Sequence, residues 1–200
     1  LFLQLGWHDE ARREPRALPT DVNRLDLHQA YLDVAVGGST RARLGRQELV
    51  LGSARLVGTR DAPNIRRSFD GVVVETRRRG WQLRTLALTT VEIEPGAFDD
   101  ETDPGNWLAG LYATREATED AHGLDLYALW YQLDDAPFGP GRGHERRWSW
   151  GLRTFGESGP FDHNVEVILQ TGGFGDGAIR AWTIASDLGF TLPEAGSAPR

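Results

Sequence analysis

All 22 basic side chains of this 200-residue chain are arginines. Arginine carries a planar fork of N–H donors that matches a carboxylate in two parallel hydrogen bonds, so it suits the capture of anionic groups. Asp and Glu number 29, which leaves a net charge of −7 and supplies every arginine with competing partners. Spacing sorts the candidates. Arg46 and Glu48 stand two apart in RARLGRQELVL (41–51) and share one face of an extended chain. Arg43 lies on the other face unless Gly45 marks a bulge. In 70–77, Val72, Val74 and Thr76 oppose Val73, Glu75 and Arg77. In 146–156, Trp148, Trp150, Leu152 and Thr154 oppose Arg147, Ser149, Gly151 and Arg153. In 161–172, Val165, Val167 and Leu169 oppose Asn164, Glu166 and Gln170. Arg84 lies within WQLRTLALTTVEI (81–93), and Arg60, Arg66 and Arg67 fall in a polar loop with Asp61 and Asp70. Two readings stay open: these arginines contact a passing carboxylate, or they form ion pairs that only hold a wall together.

Other chemistries lack their residues. The chain has no Cys, which removes disulfides, thiolate metal sites and Cys nucleophiles together. His8, His28, His122, His144 and His163 are scattered, with no HExxH pair, and neither GxSxG nor a P-loop occurs. The run Asp99, Asp100, Glu101, Asp103 lacks the glycine and ligand spacing of an EF-hand and reads as a solvated loop. A hydrolase pairing Asp99 with Glu166 has nothing to bring the two together. No catalytic residue, metal site or cofactor is therefore expected. A net charge of −7 without a clustered basic face argues against nucleic-acid binding.

The elements that must position these side chains are strands. No run approaches 18 apolar residues, so a transmembrane helix is excluded. The mean hydropathy of −0.43 does not bear on a barrel, whose strands are apolar on one face only. Nine strand candidates emerge: 25–36, 41–51, 68–78, 81–93, 107–116, 123–133, 146–156, 161–172 and 178–192. Most run to about ten residues, the span of a tilted membrane strand and longer than the usual soluble strand. Near-helical spacing at 107–121 and 28–36 competes locally, but strand neighbours favour strands. Connections alternate between short (37–40, 79–80, 157–160) and long (58–66, 95–106, 134–145), the rim asymmetry of outer-membrane barrels. Trp81, Trp107 and Trp148 near strand ends suit an interfacial girdle. The expected fold is all-β: one domain over 1–200, an antiparallel up-and-down meander, part of a transmembrane β-barrel. A soluble carbohydrate-binding β-sandwich is the alternative, and it requires shorter strands in two facing sheets.

The run LGRQELVLGSARLVGTRDAPNIRRSFDG (44–71) resembles the alginate export family of outer-membrane β-barrel porins. DLHQAYLDV (26–34), PGAFDD (95–100) and IRAWTIASDLGFTL (179–192) fit the same family, so the resemblance runs over about 25–200. It implies a single antiparallel barrel of about twice this length, carrying anionic polysaccharide through an Arg-lined lumen in the outer membrane. The chain would then be an internal fragment holding about half a barrel, ending at Ala198-Pro199-Arg200 where the family continues into further strands. Its partners would be the polysaccharide, outer-membrane lipid and periplasmic export components. Candidate lumen residues are Arg43, Arg46, Glu48, Arg66, Arg67, Glu75, Arg77, Arg84, Arg153, Glu166 and Gln170. A general porin with another substrate is the nearest variant of this reading.

Overall fold

The computed structural model describes residues 1–10, 20–61, 63–118, 121–139 and 141–192. It is all-β. Ten antiparallel strands follow one another as β1 (Phe2–His8), β2 (Asn23–Gly37), β3 (Thr40–Gln47), β4 (Phe69–Arg78) and β5 (Trp81–Glu92). Then come β6 (Glu101–Arg115), β7 (Gly123–Phe138), β8 (Gly141–Ser158), β9 (Phe161–Phe174) and β10 (Gly177–Phe190). Each strand pairs only with its sequence neighbours, in a single sheet ordered β1 to β10 that does not close on itself. No second sheet faces it among the described residues, which removes the sandwich alternative.

All nine expected strands are present, and the segments with competing helical spacing are strand over 28–36 and 107–115. One strand is additional and several boundaries differ from expectation. β1, with its alternating Leu3, Leu5 and Trp7, is an additional strand. β3 stops at Gln47 rather than Leu51, because Leu51 turns into the core instead of pairing. β6 begins at Glu101, within the expected acidic loop. β7 and β8 run on to Phe138 and from Gly141, so the expected 134–145 loop is mostly paired strand. Ala198-Pro199-Arg200 lies outside the described residues.

The pairing register carries side chains across the sheet in continuous rows. One row reads Val34, Ala42, Val74, Thr85, Leu111, Ala128, Trp150, Leu169, Trp182, with Thr85 its only polar member. The next row on the same face reads Thr40, Thr76, Leu83, Ala113, Leu126, Leu152, Val167, Ile184. Large apolar side chains on this face stand in the open: Trp182 is 71% exposed and Ile184 62%. A soluble protein rarely presents so wide an apolar surface, whereas a barrel wall needs one against lipid.

The opposite face is charged and largely covered. Its rows include Asp33, Arg43, Val73, Leu86, Gly110, Leu129, Ser149, Gln170 and, next to it, Arg41, Glu75, Arg84, Tyr112, Tyr127, Gly151, Ile168. The connection 48–68 folds back over this face. Its Leu51 and Val57 pack on Phe69, Val73, Leu86, Leu88, Leu108 and Ile168 to make the apolar core. This covered side is termed the inner face.

Gly45 has φ 119°, yet its pairing continues without a break to Tyr31 on one side and Gly71 on the other. It is therefore no bulge. A Cβ there would collide with the Ala30 carbonyl, so glycine allows the tight coil while keeping register. Connections also differ by rim. One rim has the two-residue turns 38–39, 79–80 and 159–160 and the segment 116–122. The other has 9–22, 48–68 and 93–100, then two short turns at 139–140 and 175–176.

If the exposed apolar rows face lipid, a charge placed in them should cost far more than one on the inner face. Leu152→Arg is expected to lower folding stability in lipid vesicles by ~2–4 kcal/mol, measured by urea titration. Thr183→Arg, at an exposed inner-face position, should lower it by less than half as much; equal losses would refute the assignment of faces.

Candidate functional site

Period-2 geometry carries alternate residues of each strand to the inner face, and there the polar ones join into two networks. The first lies beneath the 48–59 part of the long connection. Glu166 is its centre and is only 3% exposed. Tyr127 Oη donates to Glu166 Oε1 at 2.7 Å, and Ser53 Oγ donates to Oε2 at 2.7 Å. Arg55 Nε lies 3.1 Å from the same Oε2, and Arg55 Nη2 donates to Asp187 at 2.8 Å. Alongside, Asp125 (1% exposed) accepts from Tyr112 Oη at 2.8 Å and Arg153 Nη1 at 2.7 Å. Arg153 Nε donates to Asn164 at 2.6 Å, and Asn164 Nδ2 donates to Asp187 at 3.1 Å, closing the circuit. The rings of Tyr112 and Tyr127 stack at 5.1 Å between the two carboxylates.

The loop reaches this network because it is built to lie flat. Leu51 N donates to Val57 O at 3.1 Å and Ala54 N to Leu51 O at 3.0 Å, folding 51–57 into a compact turn. Gly52 sits against Tyr112, where a Cβ would strike the hydroxyl. Burying a carboxylate costs several kcal/mol unless donors or cations compensate it; both Glu166 oxygens have such partners, and Asp125 has Tyr112 and Arg153 on Oδ2 alone.

The second network lies nearer the short-turn rim on β2 to β5. Arg43 grips Asp33 in a bidentate pair of 2.8 and 2.9 Å and lies 3.8 Å over the Tyr31 ring. Glu75 accepts from Arg77 at 2.9 Å and Arg84 at 3.3 Å. A cleft of about 180 Å³ opens between these groups, the loop residues Leu49 and Val50, and Arg41. Arg41 faces the cleft without an ion pair among the described residues.

The expected residues divide accordingly. Arg43, Glu75, Arg77, Arg84, Arg153, Glu166 and Gln170 share the inner face, where Gln170 bridges Arg147 and Ser149. Arg46 does not join them. With no bulge at Gly45 it stays opposite Arg43, bonded to both Asp70 oxygens at 3.0 Å and to the carbonyls of Leu27 and Asp100. Glu48 opens the long connection and is held by His28 at 2.7 Å and Arg66 at 3.7 Å. Arg66 also meets Asp61 at 3.0 Å in the exposed loop. Arg67 is half-buried without an ion pair among the described residues, and burial and the neighbouring Arg60 lower its pKa.

Sequence reasoning passed over Asp125, Tyr112, Tyr127, Asp33 and Arg41, although Asp125, Tyr127 and Leu129 alternate with Leu126, Ala128 and Trp130. Ser53 and Arg55 carry no periodic signal, since they act from a loop. The arrangement offers no nucleophile paired with a base. It offers guanidinium groups already matched to carboxylates on a polar wall, suited to exchanging partners with a mobile anion.

A protein-family model described as alginate export matches residues 5–200 of the chain. No curated protein and no solved structure matches it.

The Glu166 network should control whether the loop stays on the wall. Glu166→Ala leaves three donors without their acceptor, each worth ~1–3 kcal/mol when desolvated. Amide exchange at Leu51 and Ala54 is expected to accelerate by about tenfold or more, with the β4–β5 amides unchanged. Unaltered exchange at Leu51 and Ala54 would show that the loop is held by its apolar contacts alone.

Proposed function

Because the chain belongs to the alginate export family, a family of outer-membrane porins, we propose that it forms part of an outer-membrane channel wall for anionic polysaccharide. The observation that carries this reading is the two-faced sheet: apolar rows on one side and paired arginines on the other. Closing a sheet of this kind into a barrel turns the apolar face to lipid and the charged face to a wet lumen. The ten strands here would be one part of that barrel.

The mechanism is electrostatic. A polymer carboxylate approaches an inner-face guanidinium and takes over donors that Asp33, Glu75 or Asp125 hold at rest. The wall carboxylate then reclaims them, so that no site traps the chain. Arg43, Arg84 and Arg153 serve as successive contacts, with Glu75, Glu166 and Gln170 moderating them. Arginine stays protonated at every working pH, so the attraction does not titrate away. Arg46, on the other face, takes no part in conduction and braces the rim. Periplasmic export components would meet the short-turn rim, and the polymer would leave at the rim that carries 48–68.

The protein expressed from its complete reading frame and inserted in planar bilayers tests this. Changing Arg43, Arg84 and Arg153 together to Gln should move the reversal potential under a salt gradient away from anion selectivity. Arg46→Gln should leave it unchanged. Soluble polyuronate should reduce the parent's current, and this block should weaken in 1 M salt, where the Debye length is ~3 Å. A triple variant with the parent's reversal potential overturns the mechanism. Anion selectivity without polyuronate block points instead to a general porin for smaller anions.

A further inference from the structure

The apolar face stays uncharged along most of β8 and β10 and then meets two arginines. On β10 the outer positions run Phe190, Leu188, Ser186, Ile184 and Trp182 before Arg180. On β8 they run Ser158, Gly156, Thr154, Leu152, Trp150 and Trp148 before Arg146. Phe190 packs on Phe161 at 4.9 Å at the short-turn rim, and Arg180 lies ten positions along the strand from it. At ~3.4 Å per residue and a tilt of ~40°, that distance is ~26 Å, matching the ~25 Å apolar band of an outer-membrane barrel. Arg180 therefore stands at the edge of the band, and Arg146 one row beyond it, at the height of lipid headgroups.

The two arginines flank a gap floored by small residues. The register sets Arg146 opposite Gly173 and Arg180 opposite Thr171 on the intervening β9. Two strands across and two residues along puts their Cα atoms roughly 12 Å apart, and each guanidinium reaches about half of that. A Cβ on Gly173 would meet only the Gly177 carbonyl, at 3.4 Å, so the space above the floor is open. Trp148, opposite Thr171, and Trp182, opposite Leu169, border the gap on its apolar side.

A second observation is independent of this placement. Both arginines are exposed, and neither has an ion pair or hydrogen-bond partner among the described residues. Their neighbours are committed elsewhere. On the adjoining β7, Asp135 holds Arg142, while Asp134 accepts from Gln132 at 2.8 Å and meets His144 at 2.9 Å. Arg46, at the same height on β3, is taken by Asp70. Two uncompensated cations at the edge of hydrocarbon call for an anion from the lipid side.

We propose that Arg146 and Arg180 together bind the phosphate headgroup of an anionic membrane lipid, seated over Thr171 and Gly173 on the outside of the wall. A guanidinium fork takes two phosphate oxygens at once, and two forks from opposite sides fix the group in place. The Thr171 hydroxyl offers a further donor at the floor. The site rests on the reading of the apolar face as lipid-facing and stands apart from the lumen. It lies at the rim that carries 48–68, so its lipid is a phosphorylated glycolipid of the external leaflet. Bound there, the lipid pins the β8–β10 sector at a fixed depth in the membrane.

The protein from its complete reading frame, folded in neutral detergent, is titrated with bis-phosphorylated lipid A and followed by native mass spectrometry. The variant carrying Arg146→Gln and Arg180→Gln should hold one lipid fewer than the parent, with an unchanged melting temperature. Arg115→Gln, an exposed outward position at the short-turn rim, should bind as the parent does. Excess inorganic phosphate should leave the lipid in place; displacement by it would make the pair a site for free phosphate and overturn the assignment to lipid. Equal retention of lipid A by the double variant, or of fully dephosphorylated lipid A by the parent, overturns the proposal while leaving the two-faced wall intact. A parent that fails to insert into neutral lipid vesicles overturns the lipid-facing reading itself, and the site with it.

Discussion

Side chains of a strand alternate between its faces, so a slip of one residue at any pairing would carry charge into the apolar face and leucine into the polar one. Everything else in this protein depends on that register holding across the sheet. It holds without a shift at β3–β4, β4–β5, β6–β7, β8–β9 and β9–β10. Elsewhere the irregularities fall mostly toward strand ends, as at Thr89/Val91 and Leu133/Ala136. The row from Val34 to Trp182 is the outcome: nine strands contribute to one apolar line, and the neighbouring line on the other face carries Asp33, Arg43, Ser149 and Gln170. In hydrocarbon the same constraint satisfies the backbone, because each strand's N–H and C=O groups find partners on the neighbouring strands.

The inner face has a different problem. It gathers arginines and acids into a space that the 48–68 connection partly closes, and a buried unpaired charge is costly there. The structure meets this by pairing across strands: Arg43 with Asp33, Arg84 with Glu75, Arg153 with Asp125. Glu166 is matched by a loop residue, Arg55, so wall electrostatics and loop position are one system. A wall in which most cations are half-committed to fixed acids attracts anions more weakly than bare arginines would, and releases them faster.

Much of this was legible in the residues. The alternation in 146–156 and 161–172 separates Trp150 and Leu169 from Arg153 and Glu166, and the structure keeps that separation. Arg43 and Arg46 also read as opposite-facing, with Gly45 as the open question; unbroken pairing through Gly45 answered it. What alternation alone does not specify is which face is covered, since that depends on where 48–68 lands. Leu51 looked like the end of a strand because it is apolar and follows others, yet its partner is the core and not a neighbouring backbone. Asp125 sat at a polar position of a regular strand, but its burial under Tyr112 follows from the register of β6 against β7.

The central claim is that neighbouring positions on one strand face different solvents. The chain has no native cysteine, so single cysteines report it directly. In lipid vesicles, Gln170→Cys should react with a membrane-impermeant, water-soluble thiol reagent, while Leu169→Cys should stay unmodified until detergent is added. Equal reaction at both positions would contradict the two-faced wall on which the account rests.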